Sequence, residues 1–413
     1  MPLSRRRLLA SAGLGAAGIG LGAGGYLVGQ NEAEAAETET MGAVAFHGEH
    51  QAGIATPAQD RLHFASFDLE TESPGELREL MEKWTAAAAE MTAGQLIETR
   101  GGTGNRDELA PPEDTGEAFG LPASNLTITF GFGPSVFDRP GLGLAAMRPA
   151  ELQPLPTLPG DELNGLESGG DICVQACADD PQVVFHAVRN LARIGRGTVS
   201  MRWSQLGFGR TSSTTRGQET PRNLFGMKDG TANIRAEDTA AMEKYVWVDS
   251  GPAWMRGGSY VVTRRIRMIL EVWDRSSLED QERTIGRRKY SGAPLGEENE
   301  FDPLPLEELN GTDPVIPHDA HVRLASSTEN GGVQILRRGY SFTDGVDQSL
   351  GELEAGLFFI AYQRDPAKQF VVLQEKLGVH DALNEYTKHV GSALFAVPGG
   401  TQPGGYVGEA LLS

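Results

Sequence analysis

Two stretches far apart in this chain repeat one pattern, and the pattern narrows the folds open to it. Ile172-Cys-Val-Gln-Ala176 leads through Asp180-Pro181 into Val184-Phe-His-Ala-Val-Arg-Asn-Leu191. Leu357-Phe-Phe-Ile-Ala-Tyr362 leads through Asp365-Pro366 into Phe370-Val-Val-Leu-Gln-Glu-Lys-Leu377. Each reads as an apolar strand, an Asp that caps the free N–H groups of a helix, a Pro whose fixed φ suits the first helical position, and an amphipathic helix. A strand–helix unit in both halves predicts a duplicated α+β module. The boundary is expected within 205–240, giving an N-terminal domain over 36–215 and a C-terminal domain over 216–413.

Other local signals fit this frame. Ser73-Pro-Gly-Glu76 has the residues of a capping box, and Leu77, Leu80, Met81, Trp84, Ala88 and Met91 follow at helical spacing, so a helix with one apolar face is expected there. Residues 101–118 read as a surface loop, Leu126–Phe130 as a strand, and the polar stretch 274–316 as an insertion in the second half. The chain has two cysteines, Cys173 and Cys177. On one strand they share a face about 13 Å apart, too far for a bridge, so two buried free thiols are expected.

The N-terminus reads as an export signal over residues 1–35. Ser4-Arg-Arg-Arg-Leu-Leu9 contains the paired arginines of a twin-arginine signal, with Leu8 where that signal often carries Phe. A weakly apolar Ala/Gly/Leu stretch follows, and Ala33-Glu34-Ala35 supplies small residues for cleavage. An uncleaved anchor is the competing reading. Gly13-Leu-Gly15-Ala-Ala-Gly18 is formally GxGxxG, but it lacks the strand and crossover unit of a dinucleotide fold. The formal net charge of −20 argues against nucleic acid or anionic lipid as partners. Twin-arginine export carries folded proteins, often with a cofactor inserted, so a periplasmic, cell-surface or extracellular site is expected, with no membrane contact after cleavage.

The chemistry concentrates in a few short motifs. Gly226-Met-Lys-Asp-Gly230 holds a single carboxylate, Asp229, between two glycines and runs on into Thr231-Ala-Asn233. His321-Val-Arg-Leu-Ala325 and Ile335-Leu-Arg-Arg-Gly-Tyr-Ser-Phe342 follow much later, with Val44–Ile54 and Gly391–Gly400 towards the ends. In this order the segments resemble the signatures of the dye-decolorising peroxidase family, in particular its twin-arginine-exported, deferrochelatase-like subgroup. The resemblance runs over nearly all of the chain after residue 41.

That resemblance implies two ferredoxin-like halves, two antiparallel sheets with peripheral helices, and haem b held mainly by the second half. The C-x-x-C-H of covalent attachment is absent, so the haem is expected to be non-covalent. His321 matches the position of the proximal iron ligand; His318 is the nearest competitor, and spacing alone does not separate them. Asp381 matches the carboxylate that accepts the ligand's second N–H, although a helix N-cap is the plain alternative. Asp229 is the expected distal acid–base, moving a proton between the two peroxide oxygens. Its low intrinsic pKa predicts an acidic activity optimum. Without the flanking motif, Asp229 would read as an ordinary turn Asp before Gly. Arg337 is the expected distal cation, with Arg338 on the opposite strand face. Leu357 and Phe359 are expected to wall a narrow, dry pocket, and Gly230, Thr231 and Ala232 to approach the porphyrin edge.

The expected activity is reduction of hydrogen peroxide through an oxoferryl intermediate, with electrons drawn from aromatic, dye-like donors. A narrow pocket would require those electrons to arrive through surface Tyr or Trp, among Trp84, Trp203, Trp247, Trp254 and Trp273. The competing function is haem binding with iron release in iron uptake, which needs His321 but not Asp229. A secreted acidic α+β hydrolase without cofactor is a third reading. His47-Gly-Glu-His50 lacks the remaining ligands of a zinc site and is read as structural. A monomer and a homo-oligomer are both compatible with the sequence.

Overall fold

In the computed structural model, which describes residues 42–97, 109 and 111–413, helices and sheet are mixed as expected. The expected two sheets, however, are one. The first half supplies β1 (Arg61–Leu69), β2 (Thr127–Phe132), β3 (Ile172–Ala178) and β4 (Val199–Arg210). The second supplies β5 (Ser259–Met268), β6 (Leu336–Arg337), β7 (Tyr340–Asp347), β8 (Glu352–Gln363) and β9 (Thr387–Val397). The order is β5-β9-β2-β3-β1-β4-β7-β8, and β8 pairs back onto β5, closing a barrel-like ring. β6 lies along the same edge of β8 as β7. The export signal expected over 1–35 lies outside the described residues, as do 101–108 and 110 of the expected loop.

The single sheet has a physical cause. A free sheet edge leaves a row of N–H and C=O groups unpaired. Here β4 meets β7 through Phe208↔Ser341 and Arg210↔Tyr340, and β2 meets β9 through Ala396↔Phe132. The edges that two separate sheets would expose are joined to each other. Within each half the strand order is the same: β2-β3-β1-β4 in the first and β7-β8-β5-β9 in the second.

Alternation along the strands sorts their side chains onto two faces. Leu62 and Phe64 of β1, Cys173 and Cys177 of β3, Phe358 and Ile360 of β8 and Phe395 of β9 pack together inside the ring. Both cysteines are free and buried, as the strand spacing predicted. The opposite face of β1, β2 and β3 packs against helices α1 (Pro74–Thr92) and α2 (Pro181–Ile194). All six apolar residues expected on the buried face of α1 are buried. Its cap departs from the reciprocal box. Ser73 Oγ accepts from Glu76 N–H, but Thr71 Oγ1 takes the Ser73 N–H at 3.0 Å and donates to the Glu76 carboxylate.

The two echoed units differ at their caps. Asp180 caps α2 as expected, accepting from the N–H groups of Gln182 and Val183. The second helix begins later than Pro366. Helix α3 (Leu278–Ile285) lies in the inserted region and α4 (His321–Leu324) follows it, and α5 then runs Phe370–His380 with Gln369, at φ −117° and ψ −80°, in front of it. The buried Gln369 side chain donates to Tyr245 O and Gln334 O and accepts from Asp365 N–H. Those three bonds fix the residue outside helical geometry.

The contrast is measurable. Gln369→Ala removes a buried side chain that bonds three part-buried backbone groups and is expected to cost roughly 2–3 kcal/mol, whereas Asp180→Ala removes a cap and costs about 1 kcal/mol. Urea unfolding of the two variants checks the order.

Candidate active site

Asp229 sits in a loop that is folded tightly by its own residues. Gly226 and Gly230 take φ of 75° and 83°, a region that side-chain-bearing residues rarely enter. A Cβ on Gly230 would also stand 3.0 Å from the Ser212 backbone. The Asp229 N–H donates to Pro221 O at 2.9 Å, and Asn223 Nδ2 donates weakly to Asp229 Oδ2 at 3.2 Å.

The inserted region clamps this loop from outside. Arg222 donates to Gly226 O within the loop and to Lys289 O and Tyr290 O beyond it. Lys228 pairs with Glu300, and Thr231 Oγ1 donates to Glu300 Oε1 at 3.0 Å. Burial alone would raise the Glu300 pKa. Hydrogen bonds from Lys228 and Thr231, with the Lys228 charge, override it and hold this carboxyl below its usual range. Arg222 and Glu300 went unnoticed in the sequence, because a partner about 70 positions away leaves no local pattern.

Strand register delivers the opposing cation. Arg337 lies opposite Ala361 on β8, which puts it on the sheet face of Phe359 and Leu357. Those two are half-buried, while Phe358 and Ile360 between them fill the ring interior. Arg337 Nη1 donates to Asp229 Oδ1 at 2.7 Å. Arg338 is on the opposite face, fully buried, donating to Thr56 O, Pro57 O and the Gln59 side chain.

His321 opens α4. Its Nδ1 lies 2.6 Å from Asp381 Oδ2, and Asp381 Oδ1 accepts the Leu383 N–H at 2.9 Å. Asp381 therefore acts as both histidine partner and cap. Burial draws the His321 pKa down, but the charge and hydrogen bond of Asp381 outweigh it and raise the pKa above its ordinary value. The charges of Asp229 and Arg337 also act on this ring, so the three residues share one electrostatic neighbourhood. His318 is exposed. Buried His63 and His389 are instead pushed down, to about 4 and about 3.

The remaining expected residues are placed as follows. Thr231 is half-buried and its hydroxyl is committed to Glu300, and Ala232 is exposed. Trp84, Trp254 and Trp273 are buried, which leaves Trp203 and Trp247, both half-buried, nearer the surface.

The donor set suits a haem. With Nδ1 committed to Asp381, Nε2 is the atom of His321 left to ligate an iron, and a carboxylate partner raises the basicity of such a ligand. Half-buried Leu357 and Phe359 offer apolar contact, and an acid beside a guanidinium supplies a proton acceptor next to a fixed positive charge.

Comparison with known proteins agrees. The family models for the N-terminal and C-terminal parts of Dyp-type peroxidases match residues 51–209 and 220–402. A deferrochelatase of Escherichia coli (strain K12) is 39% identical over 375 residues, covering 89% of this chain and 86% of that protein. DtpA from Streptomyces lividans, solved as an X-ray generated oxyferrous/water mixed complex, superposes with a TM-score of 0.82 at 41% identity, covering 90% of this chain and 98% of that one. A DyP-type peroxidase from Cellulomonas bogoriensis gives 0.79 at 38% identity, covering 90% and 98%. The chain belongs to the Dyp-type, or dye-decolorising, peroxidase family: it is a haem-dependent peroxidase whose haem b is held non-covalently.

Proposed function

We infer that this protein reduces hydrogen peroxide in a pocket bounded by His321 on one side and by Asp229 and Arg337 on the other, and oxidises aromatic donors. The observation that carries the reading is the pair of contacts Arg337–Asp229 at 2.7 Å and His321–Asp381 at 2.6 Å. The cofactor supplies an iron that binds peroxide and a conjugated ring that stores oxidising equivalents. His321 Nε2 would hold the iron, and Asp381 would fix the imidazole tautomer by accepting from Nδ1–H.

Asp229 takes a proton from one peroxide oxygen and returns it to the other. Its Oδ1 is occupied by Arg337, so the proton goes to Oδ2, where Asn223 is a weak partner. Arg337 stabilises negative charge as the O–O bond breaks. Leu357 and Phe359 keep water out, while the backbone of Gly230, Thr231 and Ala232 borders the cofactor. Reducing equivalents from bulky donors enter through Trp203 or Trp247.

The matching strand orders of the halves support a duplicated ferredoxin-like module, divided at about residue 215, with the haem on the second. Ser4-Arg-Arg-Arg-Leu-Leu9 supports export by the twin-arginine route to the periplasm, cell surface or medium. The deferrochelatase name carried by the Escherichia coli relative favours a second reading, release of iron from haem. That role requires His321 but not Asp229.

Four measurements test these statements. Asp229→Asn is expected to slow the reaction with peroxide roughly 100-fold or more while the haem absorption band persists; an unchanged rate contradicts the assignment. Iron release from haem by the same variant separates the two functions, since a deferrochelatase would retain it. Asp381→Asn is expected to lower haem affinity or turnover roughly 10- to 100-fold, read by haem titration and steady-state assay. Replacing Arg5 and Arg6 by Lys is expected to leave the protein in the cytoplasm, as cell fractionation would report.

A further inference from the structure

Arg337 reaches Asp229 from a place where its own strand has lost a neighbour. β4 pairs with β7 as far as Arg210↔Tyr340, and one more bond follows, from Thr211 N–H to Gly339 O at 2.9 Å. Beyond it the first-half chain leaves the sheet. On the β8 side, the Arg338 N–H donates to Ile360 O at 2.8 Å. Alternation then turns the N–H and C=O of Arg337 the other way, towards the side that β4 has vacated.

The side chain of Asn233 fills that vacancy. Asn233 Oδ1 accepts the Arg337 N–H at 2.8 Å, and Asn233 Nδ2 donates to Arg337 O at 2.8 Å. Nδ2 also donates to Ser213 O at 3.0 Å, just past the point where β4 departs. A primary amide carries an acceptor and a two-proton donor side by side, so it can pair with one residue's backbone as a neighbouring strand would. Asp lacks the donor, and Ala would leave both groups open. Asn233 is buried, and its own N–H donates to Gly230 O at 3.0 Å, closing a turn directly after Asp229.

A closed circuit results. It runs from Asp229 through the turn at 230–233 to the Asn233 amide, across to the Arg337 backbone, and along the Arg337 side chain back to Asp229. Apart from the covalent chain, each link is a hydrogen bond of 2.7–3.0 Å. We propose that Asn233 is a positioning residue for peroxide activation: its side-chain amide substitutes for a missing strand and sets the distance between the Arg337 guanidinium and the Asp229 carboxylate. The proposal rests on the reading of that pair as the peroxide-activating groups. Asn233 acts through Arg337 and need touch neither peroxide nor cofactor.

The test is a double-mutant cycle on the haem-loaded protein, reading the second-order rate constant with hydrogen peroxide by stopped flow. Asn233→Ala is expected to lower it roughly 10- to 100-fold, the scale of a misplaced catalytic group. In an Arg337→Ala background the same change is expected to cost little more, because its target is already gone. An equal loss in both backgrounds overturns the proposal, as does no loss from Asn233→Ala when Arg337→Ala is slow. If Arg337→Ala leaves the rate intact, the reading of the catalytic pair fails. Positioning is then decided by a crystal structure of haem-free Asn233→Ala: separation of Arg337 from Asp229 supports it, and an intact contact overturns it. Should the Ala variant not fold, Asn233→Ser, which keeps a small polar side chain, enters the same cycle with the same outcomes.

Discussion

The arrangement depends on one contact, the ion pair between Arg337 and Asp229. With side chains 26% and 14% exposed, the pair lies between surface and core, where the net stability gained from pairing is small. Its importance is directional. In the proposed reaction Asp229 presents one oxygen to peroxide while the guanidinium tethers the other, Oδ1. The same guanidinium places a positive charge directly beside the carboxylate.

Holding that pair is the task of the surrounding fold. The closed sheet sets Arg337, Phe359 and Leu357 on one face through the register of β6 and β8. The inserted region grips the Asp229 loop through Arg222, Lys228 and Glu300, and Asp381 ties His321 to the end of α5. Each tether spans a long stretch of chain, so the pocket is a tertiary construction with few local determinants. The glycines at 226 and 230 are the local exception, since their φ values admit little else.

What the sequence revealed, and what it hid, follows from that division. Local chemistry was readable: the Asp180 cap, the apolar face of α1, the free thiols of β3 and the motifs around 229, 321 and 337. Cooperation at a distance was not. Closure of the sheet depends at one seam on the single pair Ala396↔Phe132, and no periodicity announces it. Asp365-Pro366 looked like a second helix start, but Gln369 forms bonds to two distant carbonyls that pull the chain out of helical geometry. Thr71 replaced half of the expected capping box by a local contact, since its hydroxyl takes the nearby Ser73 N–H. His318 and His321 were inseparable by spacing; His318 is exposed and His321 has a carboxylate partner, which supports His321 as the proposed ligand.

The peroxidase family accounts for the cofactor and the reaction class, and the geometry supports the proposal of which side chains serve them. The most direct test of that assignment is a crystal structure of the haem-loaded protein. The account predicts iron bound by His321 Nε2, with Asp229 and Arg337 over the opposite face of the porphyrin and still in contact. Iron bound by another residue, or Asp229 and His321 on the same side of the ring, would contradict it.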